Sequence, residues 1–89
     1  MRTFNVDGQE RPFLLSYSAL RKINEAGDDY IAAIPKAAYA AFVAGARANK
    51  KEVDFSEEDV ELWIDLDLSI LEAVQEGMVK LKSIFEKKT

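Results

Sequence analysis

The run Pro35–Ala48, PKAAYAAFVAGARA, constrains the possible folds of this chain more than any other stretch. Alanine has the highest intrinsic helix propensity and proline suits a first helical position, so the spacing predicts a helix over 35–49. Ala37, Ala41, Gly45 and Ala48 fall on one stripe of small side chains, flanked by the bulkier Tyr39, Phe42, Val43 and Ala46. A small stripe lets neighbours approach the helix backbone closely. It is read as the packing surface for a helix carrying Leu20 and Ile23 and for one carrying Trp63. With 89 residues there is enough chain for one modest core, and the remaining elements must bury their apolar faces against this helix.

Several classes of chemistry are excluded at this stage. The chain has no cysteine and no histidine, which removes disulfides, Cys/His zinc sites, Ser–His or Cys–His nucleophile pairs and imidazole switching. The four glycines are scattered at 8, 27, 45 and 77, so there is no glycine-rich phosphate loop. The carboxylate neighbours Asp28/Asp29 and Asp65/Asp67 lie one and two positions apart, a spacing that does not set two acids facing each other on a helix. No calcium-loop pattern of alternating oxygen ligands is present. We therefore expect no enzyme, no cofactor and no metal. The first residues alternate charged and apolar groups, unlike a secretory signal, and the apolar stretch 37–46 is too short to span a bilayer. A soluble, cytoplasmic chain is expected.

The net charge of −4 conceals an asymmetry. No lysine or arginine occurs between Lys51 and Lys80, whereas that segment holds Glu52, Asp54, Glu57, Glu58, Asp59, Glu61, Asp65, Asp67, Glu72 and Glu76. Such a segment repels nucleic acid. It reads either as a solvated face or as a docking surface for a basic partner.

Taken in order, Thr3–Val6 and Arg11–Leu15 read as strands flanking Asp7-Gly8-Gln9-Glu10. Direct aromatic pairing favours a four-residue loop, which sets Phe4 opposite Phe13 and Val6 opposite Arg11. Pro12 marks an edge. A helix over about 18–26 follows, capped by Ser16 or Ser18 and closed by Gly27, with Leu20 and Ile23 inward. Asp28-Asp29 caps a short turn over 29–33, and Pro35 predicts a break at Ile34. Ser56-Glu-Glu-Asp59 forms a capping box for a helix over 57–66 that buries Val60, Trp63 and Ile64, with Phe55 at the staple position. Leu71, Val74, Met78, Leu81 and Phe85 define a last amphipathic helix over about 68–86, widened by Ile70, Gly77 and Ile84. Gly77 marks a close crossing or a tolerated weak point. The predicted fold is a single mainly α domain (1–89): a short N-terminal β-hairpin, about 3–15, and a compact bundle of four to five helices around the alanine-rich helix.

Three stretches together are similar to the small tail assembly chaperones of long-tailed, siphovirus-type bacteriophages and prophages. They are the hairpin running into Phe13-Leu-Leu-Ser-Tyr-Ser-Ala-Leu-Arg-Lys-Ile-Asn-Glu-Ala-Gly27, the alanine-rich helix, and Phe55-Ser-Glu-Glu-Asp-Val-Glu-Leu-Trp-Ile-Asp65 with the amphipathic helix after it. Order and spacing agree over nearly the whole chain. The resemblance implies a non-enzymatic helper of virion assembly that coats the tape measure protein, keeps it soluble and recruits tail tube protein in the host cytoplasm, outside the mature virion. Residues placed at a partner interface are Glu57, Glu58 and Glu61 on the acidic segment and Met78, Leu81 and Phe85 on the last helix. Self-association is left open. So is a second class of function, a small acidic adaptor or inhibitory protein, either a mimic of nucleic acid or a regulatory subunit, that binds a basic partner.

Overall fold

A computed structural model of the chain describes residues 2–27 and 29–86, with the backbone alone for Tyr30, Leu81, Lys82 and residues 84–86. The element order is β1 (Arg2–Val6), β2 (Gln9–Phe13), α1 (Tyr17–Glu25), α2 (Tyr30–Ala48), α3 (Glu57–Leu66) and α4 (Ser69–Glu86). The mainly helical architecture with an N-terminal hairpin is as the sequence predicts. Two local features differ.

The first difference is the hairpin register. β1 and β2 pair antiparallel with Phe4 opposite Arg11 and Val6 opposite Gln9, so the loop is the two residues Asp7 and Gly8. The four-residue loop, with Phe4 opposite Phe13, is incorrect. Asp7 and Gly8 take φ of 55° and 73°, the double positive φ of a type I′ turn, whose twist matches that of the strands. The two rings still touch, because Phe4 and Phe13 meet diagonally at 5.3 Å, nearly perpendicular. A direct cross-strand pair was not needed to bring them together.

The second difference is at Pro35. Helix α2 runs unbroken from Tyr30 to Ala48 with Pro35 inside it, so no separate turn ends at Ile34. Proline removes one N–H from the ladder, and the carbonyl that goes without its partner belongs to Ile31, an exposed residue. On the opposite side Ala33 and Ala37 are fully buried. Burial on both sides of the proline keeps the helix continuous through it. Asp29 caps the start by accepting the Ala32 N–H at 3.1 Å; Asp28 lies outside the described residues. At the other end the Lys51 N–H reaches the Ala46 carbonyl at 2.8 Å and the Lys50 N–H that of Arg47 at 3.1 Å. This is a Schellman closure, made with Lys50 at φ 57° where glycine is usual.

α1 is capped by Ser16, whose Oγ accepts the Ala19 N–H at 3.3 Å, and Gly27 takes φ 61° beyond its end. The core centres on Phe42 of α2. Its ring meets Phe13 at 5.1 Å, Trp63 at 5.3 Å, Phe4 at 6.0 Å and Phe55 at 6.2 Å. These rings come from β1, β2, α2, the α2–α3 connection and α3, so one cluster ties most of the chain together.

The small stripe of α2 admits the hairpin as well as the helices. A Cβ built on Gly45 would lie 2.5 Å from the Pro12 carbonyl carbon and 3.0 Å from the Phe13 nitrogen. The Leu14 N–H, just past β2, donates to the Ala41 carbonyl at 3.0 Å. Backbone therefore meets backbone there, which only glycine permits. Gly77 of α4 is also a close approach, since a Cβ there would overlap the side chain of Leu15. Ala48, at the end of the stripe, is exposed.

Candidate interaction surface

Ser56 starts α3 by accepting the Asp59 N–H at 3.2 Å, and the Asp59 carboxylate accepts the Ser56 N–H at 2.9 Å. This reciprocal capping box is the one expected from the sequence. Glu57, Glu58 and Asp59 occupy the first turn, where negative charge suits the helix dipole. The inner side of α3 is set by Val60 and Trp63, both buried, with Ile64 against the core.

The outer side is unusual. Leu62 and Leu66, one turn apart, are 55% and 77% exposed, and Leu68 just after the helix is 62% exposed. Around the leucines stand Glu58, Glu61 and Asp65, all exposed. A solvated helix face normally carries polar groups throughout; this one interleaves leucines with acids. The ion pairs among the described residues are Arg2–Glu76, Arg11–Asp54, Arg21–Glu25 and Lys22–Glu25, none of which involves the α3 acids.

The corner after α3 is shaped by Asp67. Its Oδ1 accepts both the Ser69 hydroxyl at 2.6 Å and the Ser69 N–H at 3.0 Å. Those bonds, the hydroxyl first, hold the Asp67 carboxyl below its ordinary range. The group is thus an anion committed to starting α4, and it is poorly suited to accept a proton from a substrate near neutral pH.

Beneath α3, Arg11 of β2 is buried between two rings, its guanidinium carbon 4.9 Å from the Trp63 centroid and 5.2 Å from that of Phe55. Its Nη1 donates to Asp54 Oδ1 at 2.8 Å, and this bond depresses the Asp54 carboxyl. The Arg11 Nε is buried without a partner. The stack fixes the α2–α3 connection to the hairpin and so sets the position of α3. Sequence reading, with Arg11 placed opposite Val6, gave no hint of it.

Of the six expected interface residues, the structure describes the side chains of Glu57, Glu58, Glu61 and Met78. Glu58 and Glu61 are exposed on the outer side of α3, and Glu57 is half-buried. Met78 is half-buried and packs on the core. The side chains of Leu81 and Phe85 lie outside the described residues. Among the exposed apolar groups that the sequence reading did not single out are Leu62, Leu66 and Leu68, Val79 on α4, Ile31 on α2, Tyr17 on α1 and Val53 in the α2–α3 connection. A signal was available: Leu62 and Leu66 are spaced i, i+4 off the Val60/Trp63/Ile64 stripe, giving α3 two apolar faces.

Among the described residues, no cluster of three or more carboxylates is arranged to hold a metal ion. No described helix is long and apolar enough to cross a membrane. Comparison with known protein families, with curated proteins and with solved structures finds no match for this chain.

Proposed function

We propose that this chain is a non-enzymatic tail assembly chaperone of long-tailed bacteriophages or prophages. In this reading it binds the tape measure protein, keeps it soluble while tail tube protein assembles around it, and acts in the host cytoplasm without entering the virion. The observation that carries the reading is the outer side of α3, where Leu62 and Leu66 stand in water among acids that no described cation pairs. Exposed apolar rows rimmed by polar groups mark protein-binding surfaces. The resemblance over the hairpin, the alanine-rich helix and the Phe55–Asp65 segment supplies the kind of partner. Interleaved leucines also speak for a protein partner over mimicry of nucleic acid, which needs acids alone.

The test is co-expression with the tape measure protein encoded in the same genome. The expected result is a soluble complex that is lost when Leu62 and Leu66 are both changed to serine. A tape measure protein that stays insoluble beside the folded wild-type chain refutes the reading. Charge reversal at Glu57, Glu58 and Glu61 in the same assay reports whether the acids take part.

A further inference from the structure

The leucine-and-acid side of α3 has a chemistry that selects its occupant. We infer that it docks a cationic amphipathic helix of a partner protein, one whose leucine-type row seats along Leu62 and Leu66 and whose lysines or arginines meet Glu58, Glu61 and Asp65. The inference deepens the chaperone reading and rests on it only for the partner's biological identity.

Three observations favour this occupant. The rows on α3 run at steps of three and four, the spacing at which one helix lies along another. Among the described residues these acids form no ion pair, and no lysine or arginine lies between Lys51 and Lys80 to neutralise them from nearby in the chain. A partner must therefore bring the positive charge. A second copy placed symmetrically on the same face would set Glu58, Glu61 and Asp65 against themselves, and like charges facing each other oppose association. A head-to-tail copy fares little better. The hollow between α1 and α2 that holds Lys22, Lys36 and Arg47 also contains Glu57, and Lys22 is already paired with Glu25 at 3.6 Å.

The experiment uses the full chain with two fluorescent model peptides, an amphipathic helix of leucine and lysine and the same helix with glutamate for lysine. Anisotropy titrations are run at low and high salt, with backbone NMR shifts to locate the binding face. The leucine–lysine peptide is expected to bind, to shift residues 58–68, and to weaken as salt screens the pairs. Leu62→Ser with Leu66→Ser, both at exposed positions, is expected to weaken it about tenfold or more. The leucine–glutamate peptide is expected not to bind. Equal binding of both peptides, shifts confined to another face, or an unchanged affinity in the double variant overturns the inference. So does a dimer in sedimentation that the double variant dissolves, because the occupant is then a second copy. Failure of these titrations leaves the co-expression result intact, and failure of co-expression leaves these intact, so the two claims fall separately.

Discussion

Gly45 offers a test in which two simple considerations predict opposite signs. Considered only as a mid-helix glycine, it should gain about 1 kcal/mol on replacement by alanine. The packing says otherwise. The new methyl would lie 2.5 Å from the Pro12 carbonyl carbon and 3.0 Å from the Phe13 nitrogen, whereas unstrained carbon atoms sit about 3.5–4.0 Å apart. Both obstacles are backbone, so no side-chain rotation relieves them. β2 must move away from α2 by about 1 Å, which disturbs the Leu14–Ala41 hydrogen bond and the Phe13–Phe42 ring packing. Overpacking costs about 1–3 kcal/mol and the broken hydrogen bond about 1 kcal/mol. Offset by the helix gain, Gly45→Ala should destabilise by about 1–3 kcal/mol. That is a large part of the total for a domain of this size, about 4–13 kcal/mol. Urea unfolding followed by Trp63 fluorescence and by helical circular dichroism measures it. Amide exchange adds a local readout, because the Leu14 N–H should lose protection in the variant. A neutral or stabilised Gly45→Ala protein would refute the claim that strand and helix backbones meet here.

Gly77→Ala should cost less, because the obstacle is the Leu15 side chain, which can turn aside; adding Leu15→Ala should recover part of the stability in a double-mutant cycle. Lys50→Gly should stabilise the protein by about 1 kcal/mol, since Lys50 holds a left-handed conformation that costs an L-residue, and a raised urea midpoint checks it. For the Arg11–Asp54 pair, Asp54→Ala should be more damaging than Arg11→Met, because the first strands a buried guanidinium while the second leaves an acid facing water; the reverse order in urea midpoints would contradict the geometry. Asp54 and Asp67 both titrate lower folded than unfolded, so the folded state binds fewer protons. Their stabilisation is present above about pH 4 and fades as pH falls through the folded values. Urea midpoints between pH 6 and 3 should drop less steeply in Asp54→Asn and Asp67→Asn than in wild type.

The helices were legible because their apolar residues recur at steps of three and four and their ends carry explicit chemistry, with Ser16 before α1 and the Ser56/Asp59 box before α3. What escaped sequence reading was decided by competition between local rules. At Asp7-Gly8 a turn preference outranked the attraction of setting Phe4 against Phe13. At Pro35 a local helix breaker was overruled by alanines buried on both sides of it. The interaction surface was harder still. α3 carries apolar residues around most of its circumference, and which of them face water depends on where Phe42 and Arg11 seat Trp63. The spacing set Leu62 and Leu66 apart from the Val60/Trp63/Ile64 stripe, but that they face water is a tertiary outcome.

The ring cluster around Phe42 also bears on how the protein emerges from the ribosome. Phe4, Phe13 and Phe42 are made early, and the hairpin and first helices close locally. Phe55 and Trp63, which cap the other side of Phe42, arrive 13 and 21 residues after it. At about 5–20 residues per second that interval lasts roughly one to four seconds. During it a growing chain holds a formed helix with an uncovered aromatic face. A chain truncated after Ala48 should therefore be sticky and poorly soluble; one that reaches Leu66 has covered Phe42 but still lacks Ile70, Ala73 and Val74 of α4, which complete the core.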